Sequence, residues 1–94
     1  MNNQVVRIGP LNVLHAAPAR ATRPPVLFIH GYFADASVFA EWLPFFAARG
    51  FPAYAVHLRG RAGSMPNVDL GRVSIADFVS DALAVAAHIG THLG

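Results

Sequence analysis

The chain has no cysteine, which removes disulfides and thiolate metal sites from the architectures open to it. It has no lysine either. Its basic residues are seven arginines, Arg7, Arg20, Arg23, Arg49, Arg59, Arg61 and Arg72, of which only Arg59 and Arg61 lie close together. A nucleic-acid-binding domain gathers its basic groups on one face or helix, so no nucleic-acid partner is expected. Charge is scarce altogether, at 13% of residues with a net +2, and the first acidic residue is Asp35. The start, Met1-Asn2-Asn3-Gln4, lacks the charged-then-apolar order of a secretion signal. No apolar run approaches the ~20 residues that cross a bilayer. A cytoplasmic protein with no membrane span is the expectation.

Apolar side chains are abundant instead, at 54% of the chain, which excludes a disordered reading. Ninety-four residues make one small domain at most, burying roughly 60–65% of the surface that its unfolded chain exposes. So small a domain must cover most of its surface with polar groups. The apolar excess therefore points to a partner or to a missing remainder.

Pro25–Tyr32 is the stretch around which the rest is organised. Val26 to Ile29 run without a polar break between Pro24-Pro25 and His30-Gly31, the pattern of a strand buried on both faces, as in the middle of a parallel sheet. Upstream, Gln4–Ile8 and Leu11–Ala16 read as a hairpin joined by Gly9-Pro10. Downstream, Asp35 or Ser37 can cap a helix carrying Phe39, Trp42, Leu43, Phe46 and Ala47. Pro44 requires either a short first turn with the regular helix starting near it, or a kink. Arg49-Gly50 ends that helix, and Ala53–Leu58 is a second buried strand. Strand, helix and strand make one parallel crossover. After a loop at Gly60–Gly71, Ser74-Ile75-Ala76-Asp77 has the form of a capping box. It opens a helix with Ile75, Phe78, Val79, Ala82, Leu83, Ala86 and Ile89 on one face, stopped by Gly90.

The chemistry carried by these residues is modest. A Gly turn ends one strand, a Gly-rich loop ends the next, and the two strand ends should lie side by side, where open α/β sheets keep their sites. The backbone N–H groups of Tyr32 and Phe33 could face a ligand there and stabilise a developing oxyanion, although a Gly turn at that place also has a purely steric use. No serine is set in Gly-x-Ser-x-Gly, the elbow that exposes a nucleophile. Ser74 and Ser37 have capping roles, Ser80 should face solvent, and Ser64 sits in a loop. Among five histidines, His30 should be a packed residue shaping its loop, with His57 near it and His15 on the hairpin. His88 and His92 are spaced i, i+4 as metal ligands can be, but without a third ligand no metal site is expected.

At Leu27-Phe28-Ile29-His30-Gly31-Tyr32 and His57-Leu58-Arg59-Gly60-Arg61-Ala62-Gly63-Ser64, the sequence resembles the N-terminal third of the α/β-hydrolase family. The family's pattern there is an apolar strand, His-Gly, a helix ending in Gly, a strand, and a loop of the type Asp-Leu-Arg-Gly-His-Gly-x-Ser. The resemblance implies that the Tyr32 backbone N–H is one oxyanion-hole donor, and that Gly31, Tyr32 and Phe33 line a mainly apolar substrate site together with the 57–64 loop. It also implies that the nucleophile, acid and base of the triad lie beyond Gly94, so that no catalytic residue is present here, and that no cofactor is needed. His57 stands where the family often has Asp, Arg61 where it often has His, and Ala62 where it often has Gly. Ala62 should resist a positive φ, so the loop is expected to turn at Gly63.

The expected fold is therefore α/β. It is an incomplete three-layer α/β-hydrolase-like sheet, with an N-terminal hairpin, one parallel crossover and a terminal helix. It forms one partial domain over 1–94, with a hairpin at 1–17, strand–helix–strand at 24–58, a loop at 59–73 and a helix at 74–90. The expected function is that of the N-terminal part of a serine-type hydrolase acting on esters or similar small hydrophobic substrates, inactive alone. The alternative is a non-catalytic binding module, or one piece of a split hydrolase. By the resemblance, the strand at Val26–Ile29 should pair on its other side with a missing nucleophile strand. Left bare, that edge is open to self-association.

Overall fold

The computed structural model describes residues 3–31, 34–65 and 68–93, with the side chains at 70 and 91–93 excepted. β1 (Gln4–Ile8) and β2 (Leu11–Ala16) pair antiparallel from Gln4 opposite His15 to Ile8 opposite Leu11. Gly9 turns the hairpin at a φ of +56, a conformation that glycine adopts without steric cost. β3 (Val26–Ile29) lies parallel to β4 (Ala53–Val56), which on its other side pairs antiparallel with β2. The four-stranded sheet has the order β1-β2-β4-β3.

Among the described residues β3, the most apolar strand, has a neighbour on one side only, which leaves the bare edge expected of it. Two other expectations are corrected. β3 is half-buried and not buried on both faces, with Ile29 51% exposed. β4 holds the central place but ends at Val56, two residues before Leu58, because the chain there turns away from the sheet.

Side chains alternate along the strands, and each face of the sheet carries a core. On one face Leu11, Val13, Val56 and Leu58 pack with Phe78, Val85 and Ile89. On the other, Ala16, Ala53 and Ala55 pack with Ala36, Leu43 and Ala47. Helices therefore cover both faces, in three layers.

The first helical region is split as Pro44 demands. A 3₁₀ turn at Ala36–Phe39 precedes α1 (Trp42–Ala47). Pro44 thereby falls in the first turn of α1, where the missing N–H has no intrahelical acceptor to lose. The cap is Asp35, whose carboxylate accepts from the Ser37 N–H at 2.8 Å and from the Ser37 hydroxyl. Ser37 is thus held by the cap and is not itself the cap. At the far end Arg49 donates to the Phe45 carbonyl at 2.9 Å and lies over the Phe45 ring, and Gly50 turns at a φ of +91. A Cβ at Gly50 would overlap the Thr22 hydroxyl, because the Gly50 carbonyl accepts from the N–H groups of both Thr22 and Arg23 at 3.1 Å. That contact pins the connection leading into β3.

α2 (Ile75–Leu93) opens on the expected box. The Ser74 N–H donates to Asp77 at 2.9 Å and the Asp77 N–H to the Ser74 hydroxyl at 3.2 Å. The helix continues past Gly90 to Leu93, since one glycine costs a helix only about 1 kcal/mol. Its buried face also differs from the expected one. Phe78, Asp81, Val85 and Ile89 face the sheet, whereas Ile75, Val79 and Leu83 are 75%, 49% and 64% exposed. The apolar stripe read from the sequence passed over Asp81, because a carboxylate is an improbable core residue until its partner is known. Among the described residues no helix is long and apolar enough to cross a membrane.

Candidate functional site

The C-terminal ends of the parallel strands β3 and β4 bring His30 and His57 together, both buried. A backbone N–H can only donate, so each contact fixes a tautomer. His30 Nε2 accepts from the Leu58 N–H at 3.0 Å, leaving Nδ1 to donate to the Gly31 carbonyl at 2.7 Å. His57 Nδ1 accepts from the Ala36 N–H at 3.0 Å. Both rings are neutral in this arrangement. Burial holds the His57 imidazole below the usual histidine range, with Asp35 opposing the shift and His30 adding to it. The two hydrogen bonds from Ser37 hold the Asp35 carboxyl below the usual carboxylate range.

The loop after β4 is tight and tied to the hairpin. The Gly60 N–H donates to the Ser64 carbonyl at 2.6 Å and the Ser64 N–H to the Arg61 carbonyl at 2.8 Å. Asn12 of β2 clamps the loop. Its N–H donates to the Ser64 hydroxyl at 2.7 Å, its side-chain amide to the Ala62 carbonyl at 2.7 Å, and its carbonyl accepts from the His57 N–H at 3.0 Å. Arg7 spans Asn12 and the Gly63 carbonyl, each at 3.0 Å. A Cβ at Gly63 would lie 2.5 Å from the Asn12 amide nitrogen, so this close approach requires glycine.

Under this clamp Ala62 adopts a φ of +47 and Met65 a φ of +39. The expectation that Ala62 would resist and leave the turn to Gly63 is corrected: both residues turn, because bonds made across the hairpin outweigh the strain. A non-glycine residue in this region is strained by about 1–2 kcal/mol, partly offset by the freedom that glycine adds to the unfolded chain. Ala62→Gly is expected to stabilise the fold by about 0.5–1 kcal/mol, read as a higher urea midpoint at unchanged slope. A lower midpoint would show that Ala62 is not strained.

From the same loop Arg59 reaches α2. Its guanidinium forks onto Asp81, with Nη2 donating to Oδ1 at 2.8 Å and Nε at 3.2 Å from both oxygens, and its own backbone N–H donates to Oδ2 at 2.9 Å. Asp81 is 2% exposed. The carboxylate raises the Arg59 basicity above the usual arginine range. Sequence reasoning missed Asp81 and Asn12. The available signal was a polar residue interrupting an apolar stripe, between Phe78 and Val85 for the one and between Leu11 and Val13 for the other.

An apolar groove of about 300 Å³ opens at the end of β3, lined by Ile29, His30, Gly31 and Leu58 and roofed by Ile75, Phe78, Val79 and Ala82 of α2. A larger hollow of about 400 Å³ lies on α1 among Glu41, Trp42, Phe45 and Phe46, away from the strand ends. Of the residues expected to form the site, Gly31 lines the groove, and its carbonyl accepts from His30 and from the Ala34 N–H. Tyr32 and Phe33 lie outside the described residues. Ser64 is fully buried and Ser37 and Ser74 serve helix starts, while Ser80 is on the exposed side of α2. His15 Nδ1 donates to the Ala53 carbonyl at 3.0 Å, and the ring stacks on Tyr54 at 4.1 Å. Among the described residues no three His, Asp or Glu side chains are grouped to hold a metal ion.

No family model and no curated protein matches the chain. Among solved structures it is similar to one described as a "putative epoxide hydrolase" from Klebsiella pneumoniae subsp. pneumoniae MGH 78578, with a TM-score of 0.65 and 21% identity. The match covers 94% of this chain and 30% of that one. At this identity the likeness shows the fold: an α/β sheet that matches part of a hydrolase-like one.

Proposed function

We propose that the chain is the N-terminal part of a serine-type α/β hydrolase that acts on esters or similar small hydrophobic substrates. The observation that carries this reading is the placement of His30-Gly31 and the 57–64 loop side by side over an apolar groove, at the C-terminal edge of two parallel strands. In this reading the Tyr32 N–H is one donor to the oxyanion, and Gly31 and Phe33 flank the acyl group. The apolar lining of the groove makes such donors more effective than they are in water. The nucleophile, the acid and the base come from chain beyond Gly94 or from a second chain. The name of the solved neighbour puts epoxides beside esters as substrates to try. A cytoplasmic location and the absence of a cofactor belong to the same reading.

A second reading, a non-catalytic module or one piece of a split hydrolase, is favoured by one observation. Among the described residues the outer edge of β3 has no strand partner, and Ile75, Val79 and Leu83 of α2 are exposed. Such an edge supports self-association.

The test compares residues 1–94 with the same chain extended through its downstream reading frame, on a short activated ester and a small epoxide. The extended protein is expected to turn over, and a serine-reactive inhibitor to abolish it. The 94-residue chain should match buffer, because a nucleophile and its base together contribute factors of roughly 10⁴–10⁶. Turnover by residues 1–94 alone would sink the first reading. An inactive chain of defined oligomeric state, with no nucleophile strand encoded downstream, would establish the second.

A further inference from the structure

The two histidines at the strand ends exchange partners. His30, at the end of β3, holds the N–H of Leu58 in the loop after β4. His57, at the end of β4, holds the N–H of Ala36 after the loop that leaves β3. Each strand's terminal imidazole thus anchors the backbone of the other strand's loop. We propose that His30 and His57 form a reciprocal latch that positions the two loops against each other, and that a proton on either ring opens it. An imidazolium has no lone pair to offer, so protonation sets an N–H donor against the backbone N–H that the ring had held. The loop bearing that N–H is then released.

The surroundings leave this switch to the pair itself. Asp35, on the loop held by His57, favours its protonation, while burial and the neighbouring His30 oppose it. The Arg59 guanidinium, one residue beyond Leu58, is turned away onto Asp81 and Asp77 of α2. Arg61 lies over the Phe78 ring and donates to the Arg59 carbonyl. His57 stands where the resembled family often has Asp, and an aspartate could hold the same N–H without titrating near neutrality. The latch is therefore a property of this chain's own pair. Its consequence for catalysis, disordering of the oxyanion side of the groove in acid, rests on the function proposed above. The latch itself does not.

The experiment is amide hydrogen exchange on the full chain between about pH 8 and pH 5, expressed as protection relative to the intrinsic rate. Protection at Ala36 is expected to fall by about tenfold or more in acid, while Ala55 in the β2–β4 ladder keeps its protection. His57→Asn places an amide oxygen where Nδ1 was and cannot titrate, so Ala36 should stay protected at both pH values. His57→Leu should lose Ala36 protection at both, with Ala55 as the measure that the sheet remains folded. Imidazole nitrogen spectra should show the Nδ1–H form for His30 and the Nε2–H form for His57. Protection at Ala36 that does not change with pH in the unaltered chain, or that falls equally in His57→Asn, would overturn the latch. Neither readout involves turnover, so an inactive protein with a working latch would count against the proposed function alone.

Discussion

Arg59→Leu is expected to cost about 3–5 kcal/mol of stability, because it strands a carboxylate that is almost fully buried. Asp81 is 2% exposed, and the Arg59 side chain supplies the fork that satisfies it. With that fork gone, Asp81 keeps the donated N–H of residue 59 and little else. A domain of this length has about 5–14 kcal/mol in total, so the variant should lose at least about a fifth of its stability. Arg59→Lys should rescue only partly, since a compact ammonium does not reproduce the planar fork. The informative comparison is the double variant Arg59→Leu/Asp81→Leu. Removing both charges leaves nothing unpaired, and most of the lost stability should return. Urea midpoints for the two single changes and the double change decide the matter. Arg59→Leu within about 1 kcal/mol of the unaltered chain would mean that solvent reaches Asp81.

Leu43→Ala should cost about 2–5 kcal/mol, in the upper half of that range. Leu43 is fully buried, and the buried residues clustered with it are Ala16, Ala36, Ala47, Ala53 and Ala55. Alanine has no rotamer with which to fill a void, so the cavity should persist. Phe28, Phe39 and Phe46 pack around this cluster, but their rings are engaged with one another and with Trp42 at centroid distances of 5.0–6.3 Å. Phe45→Ala on the same helix should cost far less, since Phe45 is 53% exposed. Thermal unfolding of the two variants side by side gives the comparison, and equal losses would contradict the packing described here.

Local chemistry was legible in the sequence. The hairpin at Gly9-Pro10, the bounds of β3, the Ser74–Asp77 box and the split forced by Pro44 all follow from residues within a few positions of each other. What was not legible depends on distant partners. Asp81 looks like a surface residue until Arg59 is placed opposite it, and that single pairing turns the buried face of α2. Ala62 looks incapable of a left-handed turn until Asn12, fifty positions earlier in the chain, is seen to hold its carbonyl. The site shares this division. His30-Gly31 and the 57–64 loop stand out as motifs, whereas the crossed imidazole contacts between them require the parallel register of β3 and β4. The roles of Tyr32 and Phe33 stay with the proposed function.

The strand order β1-β2-β4-β3 also sets a schedule for assembly. β2 and β3 are both synthesised before β4, yet neither touches the other in the finished sheet, and β4 inserts between them. Until Ala53–Val56 has emerged, the hairpin and the most apolar segment of the chain each wait with an open edge. Closing the Val26–Ala53 register then spans 27 positions at once, and the loop-closure entropy must be met before the pairing stabilises anything. β4 is thus the element on which the folding barrier should depend most. The interval before it forms is when a nascent chain of this composition is most exposed to chaperones and to its own copies.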